Sequence, residues 1–321
     1  MSKIRISSLI LISAIIFCVS LFFAPTVINP FHLDDITKNI LLLIRLPRVT
    51  VSFLMGLALG ASGAVLQGIL RNPLADPYIL GISSGASLSA AMVIMSGFYL
   101  FGQFTIPVAA FFGASIVSLL IGFFGWKRGG IWPERLLLAG IGLSFLFQAV
   151  LMLLLSISPG ERMGRTLFWI FGDLSLADWS LIPYGSLFIL SGFAIFLSRA
   201  KALNALILGD EIAHSLGFSV HRERLLVFIS IALMTAASVS LGGIIGFIGL
   251  VIPHIMRFFI GADSRMLVPA SGIGGGILLC FADMIGRSIM QPTEIPSGIV
   301  TAIIGSPYFL YLLRRKDVFG L

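Results

Sequence analysis

What this chain has least of is charge. Asp, Glu, Lys and Arg together make up 11% of its 321 residues, against roughly a quarter in an ordinary soluble domain. So little polar material cannot cover a water-soluble fold of this length, and the outer surface must be mostly lipid-facing. Cysteine is scarce as well. Cys18 and Cys280 both lie in apolar runs, without metal-ligand spacing or a disulfide framework, and both read as small core residues. No G-x-x-x-x-G-K-[ST] phosphate loop occurs, so the chain does not bind ATP in the P-loop manner. Paired carboxylates, a metal cluster and a nucleophile–base set facing one plane are all missing, which excludes a membrane-embedded enzyme. The formal net charge is +7, yet the 21 Lys and Arg stand in ones and twos between apolar runs. That is not the basic stripe of a nucleic-acid binder.

What is present is apolar mass: 58% hydrophobic residues and a mean hydropathy of +1.06. A bilayer core of about 30 Å asks for about 20 apolar residues per helix. That ruler predicts ten spans in one transmembrane domain over 1–321, near 7–27, 48–69, 83–98, 106–125, 135–156, 180–198, 225–243, 246–260, 267–285 and 297–313. The fold class is an all-α polytopic membrane protein. The third and eighth runs are short and glycine-broken, as in bent or re-entrant segments. The first run is too long for a signal-peptide core and has no convincing cleavage site, so it reads as an uncleaved span. With the N-terminus inside, 15 of the 21 basic residues fall on the inner side, which puts both termini in the cytoplasm by the positive-inside rule. Among the 35 glycines, Gly56, Gly60 and Gly63 recur at about one helical turn in the second span, the spacing of close helix packing in lipid.

Two polar segments stand out. The outer stretch 158–179 is amphipathic and predicts a short interfacial helix. The inner stretch 199–224 predicts two short helices with a glycine break, lying in the cytoplasm against another protein. Ionisable groups inside the spans, the mark of a proton or ion pathway, are few. Asp283 and Arg287 sit four apart near the outer end of the ninth span, where a local ion pair explains them. His254 beside Pro253 reads as a packed residue rather than a ligand. A stand-alone secondary transporter, the competing class, would need an intramembrane ion site that this sequence does not offer.

Several stretches carry a specific resemblance, in order and over nearly the whole chain. They are Arg45-Leu46-Pro47-Arg48, ALGASGAVLQGILRNPLADPYILGISSGA from Ala58, LGDEIAHSLG from Leu208, GFIGLVIPHIMRFFIG from Gly246, FADMIGR from Phe281 and IIGSPYFLYLL from Ile303. Together they resemble the permease subunits of FecCD-type ABC importers, a family that takes up ferric siderophores, haem, cobalamin and, in some members, molybdate or tungstate. The resemblance implies a type II importer architecture in the inner or plasma membrane. Partners would be a second copy or a similar permease, a periplasmic or lipid-anchored binding protein, and ATPase subunits. Those subunits, not this chain, would bind ATP and Mg.

Carried over by position, the resemblance assigns Arg45, Arg48 and Arg287 to docking of acidic residues on the binding protein, with exposed guanidiniums forking onto carboxylates. It assigns Gly209, Asp210, Glu211, Ala213, Leu216 and Gly217 to the coupling segment on the ATPase. The family's gate lies just before the fifth span, where a small hydroxylated pair in the cobalamin importer is replaced here by Pro133 and Glu134. Ser144 and Gln148 are further pore-lining candidates. A ferric siderophore is the first cargo expected, and haem, cobalamin or molybdate the alternatives.

Overall fold

The computed structural model describes residues 6–23, 34–127 and 130–314. The expectations that fall on Lys3, Arg5, Arg128, Arg315, Lys316 and the end of the first span past residue 23 lie outside them. All ten apolar runs are helical. In chain order, α1 is Ile6–Phe22, α2 Asp35–Asn39, α3 Leu46–Ile69, α4 Ile82–Ser96, α5 Thr105–Gly125, α6 Pro133–Ser156 and α7 Gly160–Ile170. Then follow α8 Ile182–Ser198, α9 Ala200–Leu208, α10 Asp210–Ser215, α11 Val220–Gly242, α12 Ile248–Ile260, α13 Ser264–Ile289 and α14 Ser297–Arg314. Among the described residues, five helical runs are long and apolar enough to cross a bilayer alone, while α8 and α9 meet at a 63° bend. The four remaining apolar helices, α1, α4, α12 and α14, are shorter.

Three departures from the sequence reading have local causes. The second span starts well before residue 48: α2, a π-helical turn over Ile40–Arg45 and α3 form one run from Asp35 to Ile69. Pro47 has no N–H, and its ring crowds the carbonyl four residues back. The chain widens there instead of breaking, with the Leu46 N–H reaching Leu41 O, five residues back. Second, a minimal antiparallel ribbon, β1 Trp126–Lys127 against β2 Gly130–Ile131, joins α5 to α6. The Trp126 ring stands edge-on to His221 of α11 at 4.6 Å between centroids. Third, Cys18 is exposed on α1 and only Cys280 is in the interior.

The core runs along α3, whose most apolar window is 83% buried, whereas that of α6 is 17% buried. α3 lies against α13 with main chain touching main chain. A Cβ on Gly56 would collide with the backbone of Gly275, and one on Gly60 with the carbonyl of Ser271. Gly63 abuts the backbone of Gly249, and so brings the half-length α12 onto the same helix. Small residues one turn apart allow this approach, which dispersion then rewards.

Candidate functional site: two polar ends and an open helix face

At one end of the bundle, five charged residues meet. Arg48, in the first turn of α3, directs Nε and Nη2 to Asp283 Oδ1 on α13 at 3.0 and 2.9 Å. Its Nη1 pairs with Glu294 Oε2 at 2.7 Å. Arg287 pairs with Asp283 Oδ2 at 3.0 Å, and its Nη2 donates to Ser20 Oγ at 2.8 Å. Ser297 Oγ donates to Asp283 at 3.0 Å, and Arg45 Nη1 donates to Leu21 O at 2.8 Å. The cluster thus ties α1, α3, α13 and the start of α14 together. It also corrects the expectation of exposed guanidiniums: Arg45, Arg48 and Arg287 are 3%, 7% and 2% exposed. Asp283, wholly buried between two of them, draws them inward, because a buried carboxylate left alone is far more costly than one paired. Glu294, on the loop before α14, is the half-exposed member.

The segment read as the coupling element forms a shelf at the α10 end. α9 buries Ala202, Leu203, Ala205 and Leu206, while α10 turns back on it through the fully buried Ala213. The backbone explains two of the glycines. Gly209 breaks α9 from α10 at φ 140°, ψ 158°, a region essentially reserved for glycine. Gly217 closes α10 at φ 84°. There the Phe218 N–H reaches Ala213 O and the Gly217 N–H reaches His214 O, the Schellman pattern. Glu211, Ile212 and Leu216 are exposed, and Asp210 is paired with Arg224 at 2.6 Å. Ala213 is therefore a packing residue and cannot touch a partner, contrary to its assignment from the motif. Its small side chain is what lets α10 lie flat on α9.

Pro133 and Glu134, expected just before the fifth span, form the first turn of α6. They face the shelf. One groove of about 740 Å³ is lined by Glu134, Asp210, Glu211, His214, His221 and Arg224. A second, of about 440 Å³, is lined by Arg71, Pro133, Glu134, Gly209 and Asp210. The residues read separately as gate and as coupling element thus share two grooves. Further along α6, Gln148 is exposed with Leu138, Ile141, Phe145 and Met152 on one face. Ser144 is part-buried at the edge of that face, and its hydroxyl donates to Gly140 O at 2.7 Å beside Gly81. A helical serine bonded back to its own turn is satisfied internally.

Sequence reasoning passed over three residues that the structure makes important. Asn204 of α9 and Asp263 interlock: Asn204 Nδ2 donates to Asp263 Oδ1 at 2.7 Å, and the Ser264 N–H donates to Asn204 Oδ1 at 2.8 Å. The Asn204 amide and then the Arg265 N–H hold the Asp263 carboxyl below its usual range. An Asp just ahead of an apolar helix is an N-cap signal, and α13 starts at Ser264. The third, Glu294, had no signal beyond its place in a proline-flanked loop. Among the described residues, no group of three His, Cys, Asp or Glu could hold a metal ion.

The matches to known proteins agree with this architecture. The model of the FecCD transport family matches residues 9–315. The hemin transport system permease protein of Yersinia pestis is 41% identical over 88% of this chain and 85% of its own length. The cobalamin import system permease protein of Halobacterium salinarum is 38% identical over 91% and 78%. The Fe(3+)-citrate import system permease protein YfmE of Bacillus subtilis is 38% identical over 92% and 88%. A solved metal-chelate type ABC transporter in an inward-facing conformation superposes with a TM-score of 0.88 at 31% identity, covering 95% of this chain and 97% of that one. A bundle with a main-chain-packed centre and a polar shelf at one end suits such a subunit. The chain belongs to the FecCD transport family and is a multi-pass, non-catalytic permease subunit of an ABC importer, working with an ATPase that binds ATP and with a substrate-binding protein.

Proposed function

We propose that this permease passes a ferric siderophore, with a second copy of itself or a similar permease completing the pathway along the open face of α6. The observation that carries this reading is the makeup of that face. Large apolar side chains and one amide, Gln148, line a helix whose most apolar window is 17% buried within the chain. Such a wall suits a bulky iron complex wrapped in organic ligand, because a bare cation or an oxyanion needs charged or ligating groups to leave water. The iron citrate carried in the name of one relative is a complex of this kind. Haem is the second reading, favoured by the 41% identity to a hemin permease.

In this scheme the α10 shelf is cytoplasmic and sits on the ATPase through Glu211, Ile212 and Leu216. The grooves shared with Pro133 and Glu134 would carry its displacement to the start of α6. The binding protein docks at the arginine end, and its carboxylates compete there with those the chain already supplies. Proteoliposomes holding the permease, its ATPase and its binding protein test the cargo. Radio-iron siderophore should accumulate only with ATP, undiminished by excess haem. Accumulation of haem and not of the siderophore would overturn the cargo assignment.

A further inference from the structure

We propose that Glu294 is a displaceable stand-in: it occupies the side of Arg48 that a carboxylate of the docking protein takes. The inference rests on the docking reading above and adds which contact is exchanged.

Arg48 divides its fork between two carboxylates of unequal standing. Nε and Nη2 go to Asp283, which is fully buried and also held by Arg287 and Ser297. Nη1 goes to Glu294 at 2.7 Å, and that carboxylate is 40% exposed. Asp283 cannot leave, because the guanidiniums of Arg48 and Arg287 would be stranded in the interior without their shared counter-charge. Glu294 can, because an exposed carboxylate exchanges an arginine for water at little cost. Its surroundings permit the movement: Gln291, Pro292 and Thr293 just ahead of it are exposed.

Charge balance favours replacement over simple release. Arg48 and Arg287 face Asp283 and Glu294, two guanidiniums against two carboxylates. Loss of Glu294 alone would leave these two guanidiniums with one carboxylate, whereas a partner's carboxylate on the same Nη1 restores the count. The exchange is thus neutral for the cluster and specific for an acidic partner. The release would be felt further on. The Glu294 loop leads into α14, whose start is held by the Ser297 N–H on Gly172 O at 3.1 Å and by the Ser297 hydroxyl on Asp283 at 3.0 Å.

The test uses the permease assembled with its ATPase in nanodiscs and a fluorescently labelled soluble form of its substrate-binding protein. Glu294→Gln removes the competing charge at nearly constant shape. It should lower the Kd about two- to fivefold, the range for one exposed ion pair. A spin label on Thr293→Cys, in a Cys18→Ser background because Cys18 is exposed, should gain mobility when the binding protein docks. In the Glu294→Gln chain it should be mobile beforehand. If the wild-type chain binds but Glu294→Gln binds no tighter, the exchange is wrong and docking stands. If the wild-type chain binds nothing, the docking reading itself fails, and this proposal with it.

Discussion

At the scale of single residues, the arginine end separates what a motif conveys from what it hides. The pattern R-L-P-R marks Arg45 and Arg48 as special, but nothing near them in the chain says that they are buried. For Arg48 the cause lies 235 residues away, in Asp283. Asp283→Asn should strip two buried guanidiniums of their counter-charge and destabilise the chain by about 3–5 kcal/mol. The measurement is a lowered unfolding temperature in detergent, with Glu294→Gln, at the exposed edge of the same cluster, changing it far less. Gly209 gives a second residue-scale prediction. Its φ of 140° and ψ of 158° strain any side chain, so Gly209→Ala should cost about 1–3 kcal/mol locally. It should depress ATP-driven uptake while membrane insertion stays normal.

At the scale of elements, hydropathy made the ten apolar runs legible, because each helix in lipid must satisfy its own backbone. The glycine stripe at Gly56, Gly60 and Gly63 was legible for the same reason, since side-chain size alone sets how close two helices come. The π turn before Pro47 and the ribbon Trp126–Ile131 were not. One is a widening of a helix that still scores as apolar, and the other has strands of two residues, too short for any alternation. The Asn204–Asp263 interlock also escaped, because its partners are 59 residues apart. It fixes the α9–α10 shelf to the head of α13, so Asn204→Ala or Asp263→Ala should weaken stimulation of the ATPase by cargo-loaded binding protein. The pH dependence has a definite sign. The folded state depresses the Asp263 carboxyl, so its contribution is present above the ordinary value of about 4. That contribution is lost as pH falls through the lower folded value. The stability difference between wild type and Asp263→Asn should therefore shrink on acidification.

At the scale of the whole molecule, burial is uneven: α3 is enclosed, while α6 presents Leu138, Phe145, Gln148 and Met152 outward. If a second permease covers that face, cysteines at Phe145 or Gln148 should cross-link between subunits in membranes, and one at Leu187, exposed on α8, should not. The contact between α3 and α13 bears on how such an assembly can move. Two helices meeting carbonyl to Cα have no rotamers to exchange, and a slip of one residue would drive oxygen into carbon. They form a fixed spine, about which the other elements would have to move in a transport cycle. Distances between spin labels on α3 and α13 should then stay constant across nucleotide states, while those from α10 to α3 change.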